Sequence, residues 1–283
     1  MSVFDDKPAP FFELLVHDVA RSPGLTAGSA GYEKREWRNE ALAEYLFEWL
    51  PEFALQYSDL EDLNSTTARK LLKKAATTVY TTEKYQRRGE FGELLLHAIL
   101  REVFDSQPAI IKLYFKTSTN ETVKGFDAVH VVENGDDLEL WLGEVKFQKD
   151  ASDAIRKVTK ELEEHTDGDW LRREFILIDS KIDPRWRHAP ALRALISDRT
   201  SLDDIFRRAC IPVLLTYESG TVEAHAEVCE EFRSALETEL EEVYTRFASN
   251  TLPPLRIHLF LIPLSKKEAL IEILQRKLEG QQR

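Results

Sequence analysis

Apolar positions recur along this chain with two different periods, and the change of period divides it. Early on the recurrence is helical: REWRNEALAEYLFEWL and STTARKLLKKAATTVY carry apolar residues at three- and four-residue intervals. Ser65 or Thr66 is placed to cap the second of these helices. A Gly/Ser-rich stretch ahead of them, SPGLTAGSAG (22–31), reads as a turn. From residue 84, EKYQRRGEFGELLLHAILREVF predicts a long helix with Phe91, Leu94, Leu95, Ala98, Ile99 and Val103 on one face. The period then shortens, and AIIKLYFK (109–116), GFDAVHVV (125–132) and LELWLGEVKF (138–147) read as three strands.

Beyond them helices and strands alternate. A helix is expected from Ser152 to His165, a buried strand at EFILIDS (174–180), and a helix in APALRALIS after Pro190. A second buried strand follows at IPVLLTYE (211–218), then a long amphipathic helix through HAEVCEEFRSALETELEEVYTRFAS. LRIHLFLIPL gives a last strand, and SKKEALIEILQRKLEG a closing helix capped by Ser265. That order predicts an α/β protein whose mixed sheet starts antiparallel and is flanked by helices. Residues 1–83 read as an N-terminal mixed, helical region and 84–283 as the main domain.

Composition narrows the function without naming it. Hydrophobic residues at 43% and charged ones at 31% fit an ordinary globular protein. The acidic start MSVFDD lacks the pattern of a secretory signal, and apolar runs such as IHLFLIPL are too short to span a bilayer. A cytoplasmic protein without membrane attachment is the expectation. The two cysteines, Cys210 and Cys229, form no CxxC pair, so metal chemistry here would use oxygen ligands and a hard cation.

A net charge of −12 disfavours a protein that merely coats nucleic acid, but the charge is unevenly spread. Bases gather at Arg69, Lys70, Lys73, Lys74, Lys84, Arg87 and Arg88, and again at Arg185, Arg187, His188, Arg193, Arg199, Arg207 and Arg208. Acids concentrate in EVCEEFRSALETELEEV (227–243). Basic stretches on an acidic body can track phosphates, or can be solvated helix faces.

Candidate chemistry lies in GFDAVHVVENGDDLELWLGEVKF, where Asn134-Gly135 marks a hairpin turn. A loop centred on Gly135 and Asp136 sets position 127 opposite 144, and one centred on Asn134-Gly135 sets 127 opposite 142. Either register puts Asp127 and Glu144 on one face, and Lys146 joins them by strand alternation. Opposed strand residues have Cβ atoms roughly 4.5–5.5 Å apart, where like charges are destabilising. Two carboxylates in such apolar surroundings call for a compensating charge, from a divalent cation and in part from Lys146.

On the preceding helix Glu90 and Glu93 share a face, and either could be a helix ligand or an acid favoured by the helix dipole. Glu93, in a G-x-x-x-E spacing, is the stronger candidate. His97, His130 and His258 sit in apolar patterns and read as structural.

A helix with Glu, a strand, a strand with Asp, a strand with E-x-K and a helix is the order of the PD-(D/E)XK phosphodiesterases. The chain resembles that superfamily over about residues 84–180, with Asp127, Glu144 and Lys146 at the motif positions and Phe126 where its proline would stand. The resemblance implies a restriction-endonuclease-like core with an N-terminal helical extension. It also implies a Mg2+-dependent deoxyribonuclease, with Mn2+ as an alternative, whose cation is held by Asp127, Glu144 and Glu93.

More narrowly, RGEFGE, GFDAVHV and LWLGEVKF resemble HamA, the nuclease subunit of Hachiman antiphage defence. That implies a DNA-cleaving effector held by a partner helicase, HamB, and released on infection. Lys84, Arg87, Arg88 and Lys149 would contact DNA, and Gln148 would position water. Other readings are a scaffold that keeps the fold without activity and a free-standing repair or restriction nuclease. No GxSxG elbow and no GxxxxGK[ST] loop occurs, so ATP use would fall to the partner. The N-terminal region and the acidic 227–243 helix are the expected docking surfaces.

Overall fold

The computed structural model describes residues 2–79, 89–110, 125–135 and 137–282. The chain opens with strands β1 (Glu13–Asp18) and β2 (Gly24–Ser29), then a small hairpin, β3 (Tyr32–Glu33) and β4 (Glu36–Trp37). Helices α1 (Asn39–Glu48), α2 (Leu50–Ala54), α3 (Tyr57–Leu60) and α4 (Ala68–Thr78) follow. Next come α5 (Glu90–Phe104), β5 (Gln107–Pro108), β6 (Ala128–Asn134) and β7 (Asp137–Phe147). Helices α6 (Ala151–His165), α7 (Gly168–Asp179), α8 (Ala189–Ile196) and α9 (Leu202–Arg207) lead to β8 (Ala209–Glu218). Last are α10 (Gly220–Ala224), α11 (Glu230–Ala248), β9 (Arg256–Leu264) and α12 (Lys267–Gln282).

Seven strands form one mixed sheet in the order β1-β2-β9-β8-β7-β6-β5. The four in the middle, β2, β9, β8 and β7, run parallel, and β1, β6 and β5 add antiparallel edges. Parallel strands are covered on both faces, so their sequences become unbroken apolar runs. Every residue of β8 but Glu218 is buried, and every residue of β9 but Arg256. The expected α/β architecture, a mixed sheet flanked by helices, is the one observed.

Helix α5 lies on one face of β7 and α6 on the other. A Cβ on Gly92 would come within 2.7 Å of Val145 Cγ1, and one on Gly143 within 2.6 Å of Leu96 Cδ2. The two glycines let α5 sit close on the face carrying residues 143, 145 and 147. Alternation then turns Glu144 and Lys146 toward α6.

Several segments fold otherwise than their local pattern predicts. SPGLTAGSAG, expected to be a turn, supplies β2, whose residues are all buried and which lies parallel against β9. Its small side chains are a packing feature here. EFILIDS, expected to be a strand, lies in α7, where Phe175 and Ile178 are buried while Ile176 is 70% and Leu177 45% exposed. An apolar run that short fits either element, and the cap decides it: Asp167 accepts a hydrogen bond from the Trp170 N–H.

The start of α4 is held by the Asn64 side chain, which accepts from the Thr66 and Thr67 N–H groups. At α12 the Lys267 N–H is taken by Glu218 of β8. Of the strand expected at 109–116, residues from 111 on lie outside the described residues. Cys210 is buried in β8, Cys229 is partly buried, and neither forms a disulfide.

Candidate active site

The hairpin joining β6 and β7 sets Ala128 opposite Gly143 and Asn134 opposite Asp137. Of the two registers the turn allowed, this is the one that sets position 127 opposite 144. Gly135 supplies the positive φ, at 63°, that bends the chain there. Asp127 is locked at the mouth of the pair: its N–H donates to the Gly143 carbonyl, 2.8 Å, and its Oδ2 accepts from the Val145 N–H, 2.8 Å. Asp127, Glu144 and Lys146 are thus brought together on the face toward α6, as the E-x-K pattern predicts.

Glu144 is 1% exposed. Burial pushes its carboxyl above the usual carboxylate range. Asp127 adds to the push, while a hydrogen bond with His165 and the charge of Lys146 pull against it. The Lys146 ammonium donates to the Val145 carbonyl, 3.0 Å, and forms an ion pair with Glu161. His165 bonds Glu144 through Nδ1, stacks on Trp170 with centroids 4.2 Å apart, and meets the Phe126 ring at 5.6 Å. At His165 burial pulls the imidazole pKa down, but the hydrogen bond to Glu144 and the nearby carboxylates outweigh it, and the net direction is up.

Neither Glu161 nor His165 was singled out from sequence, although a signal existed. Ala154, Val158, Glu161 and His165 continue one stripe of α6, the first two buried, so two polar residues occupy positions where the pattern expects apolar ones.

The other expected site residues are placed as follows, as far as they are described. Glu93 and Glu90 start from α5, on the opposite layer, and both are partly buried. Among the described residues no three His, Cys, Asp or Glu side chains are gathered so as to hold a metal ion. Lys149 is exposed and paired with Glu268 of α12 at 2.6 Å, and Gln148 lies 3.4 Å from the Lys157 ammonium. Lys84, Arg87 and Arg88 lie outside the described residues.

In the second basic stretch, Arg185 pairs with Glu61, Arg187 and His188 with Glu133, Arg193 with Asp179, Arg207 with Asp204 and Arg208 with Asp137. Those charges are largely neutralised in place. His97, His130 and His258 are buried, with His130 on Ser106 at 2.8 Å and His258 on Thr26 at 2.7 Å.

A family model described as HamA matches residues 9–278. This chain belongs to the HamA family. It is also similar to anti-bacteriophage protein A of Escherichia coli (strain K12), 23% identical over 260 residues, a match covering 87% of this chain and 46% of that protein. The chain therefore spans about half the length of the curated relative it matches. The family match takes in the hairpin, α5 and α6 together. No helix among the described residues is long and apolar enough to cross a membrane.

Proposed function

We propose that this HamA-family chain is a divalent-metal-dependent deoxyribonuclease acting in antiphage defence under the control of a partner helicase. The observation that carries the reading is the opposed pair Asp127 and Glu144 with Lys146 on the same face. The name of the Escherichia coli relative, anti-bacteriophage protein A, supports the defence role. Glu144 is raised chiefly by burial and further by Asp127 beside it, so a cation shared by the two carboxylates would offset both effects. Two oxygen donors, with no thiol among them, suit Mg2+ or Mn2+, which often take one or two carboxylates and fill the rest of their shell with water and substrate phosphate.

A cation held by Asp127 and Glu144 would polarise a phosphoryl oxygen and lower the pKa of a bound water. The chain's own groups do the rest. Asp127, pinned by the Val145 N–H, keeps its carboxylate aimed across the strand pair. The Lys146 ammonium, nearly buried, offsets charge that develops on the phosphate, an effect that grows as water is excluded. Control by ATP would come from the partner, since no phosphate loop occurs in this chain.

Glu144→Gln and Lys146→Ala should each lower Mg2+-dependent plasmid degradation by about a hundredfold or more while the chain stays folded. Full activity in either variant would overturn the assignment. The ion pairs that Glu161 and His165 make with the site would equally suit a scaffold without activity, and wild-type protein inert under every divalent metal would favour that. Affinity capture with this chain as bait, followed by mass spectrometry, should return a helicase.

A further inference from the structure

The residues that face the E-x-K motif are as informative as the motif. Glu161 and His165 lie one turn apart on α6, and Lys146 and Glu144 lie two residues apart on β7. Four residues of helix rise about 6 Å and two residues of strand about 6.6 Å, so the spacings match. α6 follows β7 after a short loop and runs back along it. Glu161 therefore meets Lys146 while His165 meets Glu144, both at once.

Resting on the reading above, we propose that Glu161 and His165 are resident occupants of this site. On Lys146 and Glu144 they hold the places that a DNA phosphate and a divalent cation take. α6 must release them before either ligand binds.

Three features carry this. Glu144 Oε1 is engaged by His165 Nδ1, and a cation needing that oxygen has to displace the ring. The ring is no loose occupant: Trp170 stacks on it and Phe126 packs against it nearly at right angles, so displacement means moving the junction of α6 with α7. The Lys146 ammonium is buried with its donors on the Val145 carbonyl and Glu161, and a phosphate would compete directly with that carboxylate. Lys146 and Glu144 are thus both engaged by α6, and among the described residues no third metal ligand is gathered beside Asp127 and Glu144.

The test uses the full chain and reads binding, not turnover. Mn2+ binding is titrated by electron paramagnetic resonance in wild type and in His165→Phe, which keeps a ring against Trp170 and removes the hydrogen bond. His165→Leu serves as a second variant, and melting curves confirm folding. Binding of a labelled DNA duplex is followed by anisotropy in EDTA for Glu161→Gln.

The expected result is Mn2+ binding tighter by about five-fold or more in the His165 variants, and DNA binding tighter by a similar factor in Glu161→Gln. Glu144→Gln should abolish the first gain and Lys146→Ala the second. Unchanged or weaker binding in these variants, with Mn2+ binding still dependent on Glu144, overturns the inference and leaves the nuclease reading standing. Absence of Glu144-dependent Mn2+ binding in every variant overturns both.

Discussion

Glu144 combines burial, a neighbouring carboxylate and a hydrogen bond to an imidazole, and these act in opposing directions on its charge. Such a residue is costly to keep. Glu144→Gln retains the shape and an acceptor for His165 while removing the buried charge. It should raise stability at neutral pH by about 1 kcal/mol, seen as a higher Tm by calorimetry, alongside the loss of cleavage argued above. A lower Tm would mean that the carboxylate is a structural anchor. Asp127, Glu144 and Lys146 were legible from sequence because strand alternation converts spacing directly into a shared face. Glu161 and His165 were not read, since a helix's periodicity says which residues share its face and not which strand that face will meet.

At the scale of elements, local pattern succeeded where an element's neighbours impose nothing unusual and failed where they do. The hairpin, α5, α6, α11 and α12 follow their apolar periodicity, although α11 starts only at Glu230. In α7 the run Phe175–Ile178 alternates between core and solvent at helical spacing, which a short apolar run conceals. Ile176→Lys should shift the urea-unfolding free energy by no more than about 0.5 kcal/mol, whereas Phe175→Ala should cost about 3–5 kcal/mol. A buried strand would make both substitutions severe, so equal losses would contradict the helix. β2 is the opposite case: its Gly, Ala and Ser residues carry turn-like local signals, yet the parallel pairing with β9 holds them extended and buried.

At the scale of the molecule, buried histidines link elements far apart in the chain. His258 of β9 bonds Thr26 of β2, which also meets His17 of β1 at 2.9 Å, and His97 of α5 meets His130 of β6 at 3.3 Å. Burial lowers the pKa of His97, His130 and His258, the last to about 4, so the fold keeps them neutral. The unfolded chain takes up these protons as pH falls through about 6.5, where the folded chain does not. The stability they allow is therefore complete above that pH and is lost below it, by about 3 kcal/mol for His258 as pH approaches 4. Urea midpoints measured at pH 7.5, 6 and 5 should fall with acidity, and His258→Gln should flatten the decline. A pH-independent midpoint would show that these imidazoles titrate normally.

The hydrophobic pattern by itself determined the α/β class, the strand hairpin and the convergence of Asp127, Glu144 and Lys146, because these depend on periods of two and 3.6 residues and on one short turn. Tertiary structure alone decided that β1 and β2 enter the main sheet and that α5 and α6 take opposite faces of β7. It alone set Glu161 and His165 against the motif. Those outcomes depend on contacts between residues far apart in the chain, such as Thr26 with His258, where the free energy of burying two surfaces together outweighs the local preference of either.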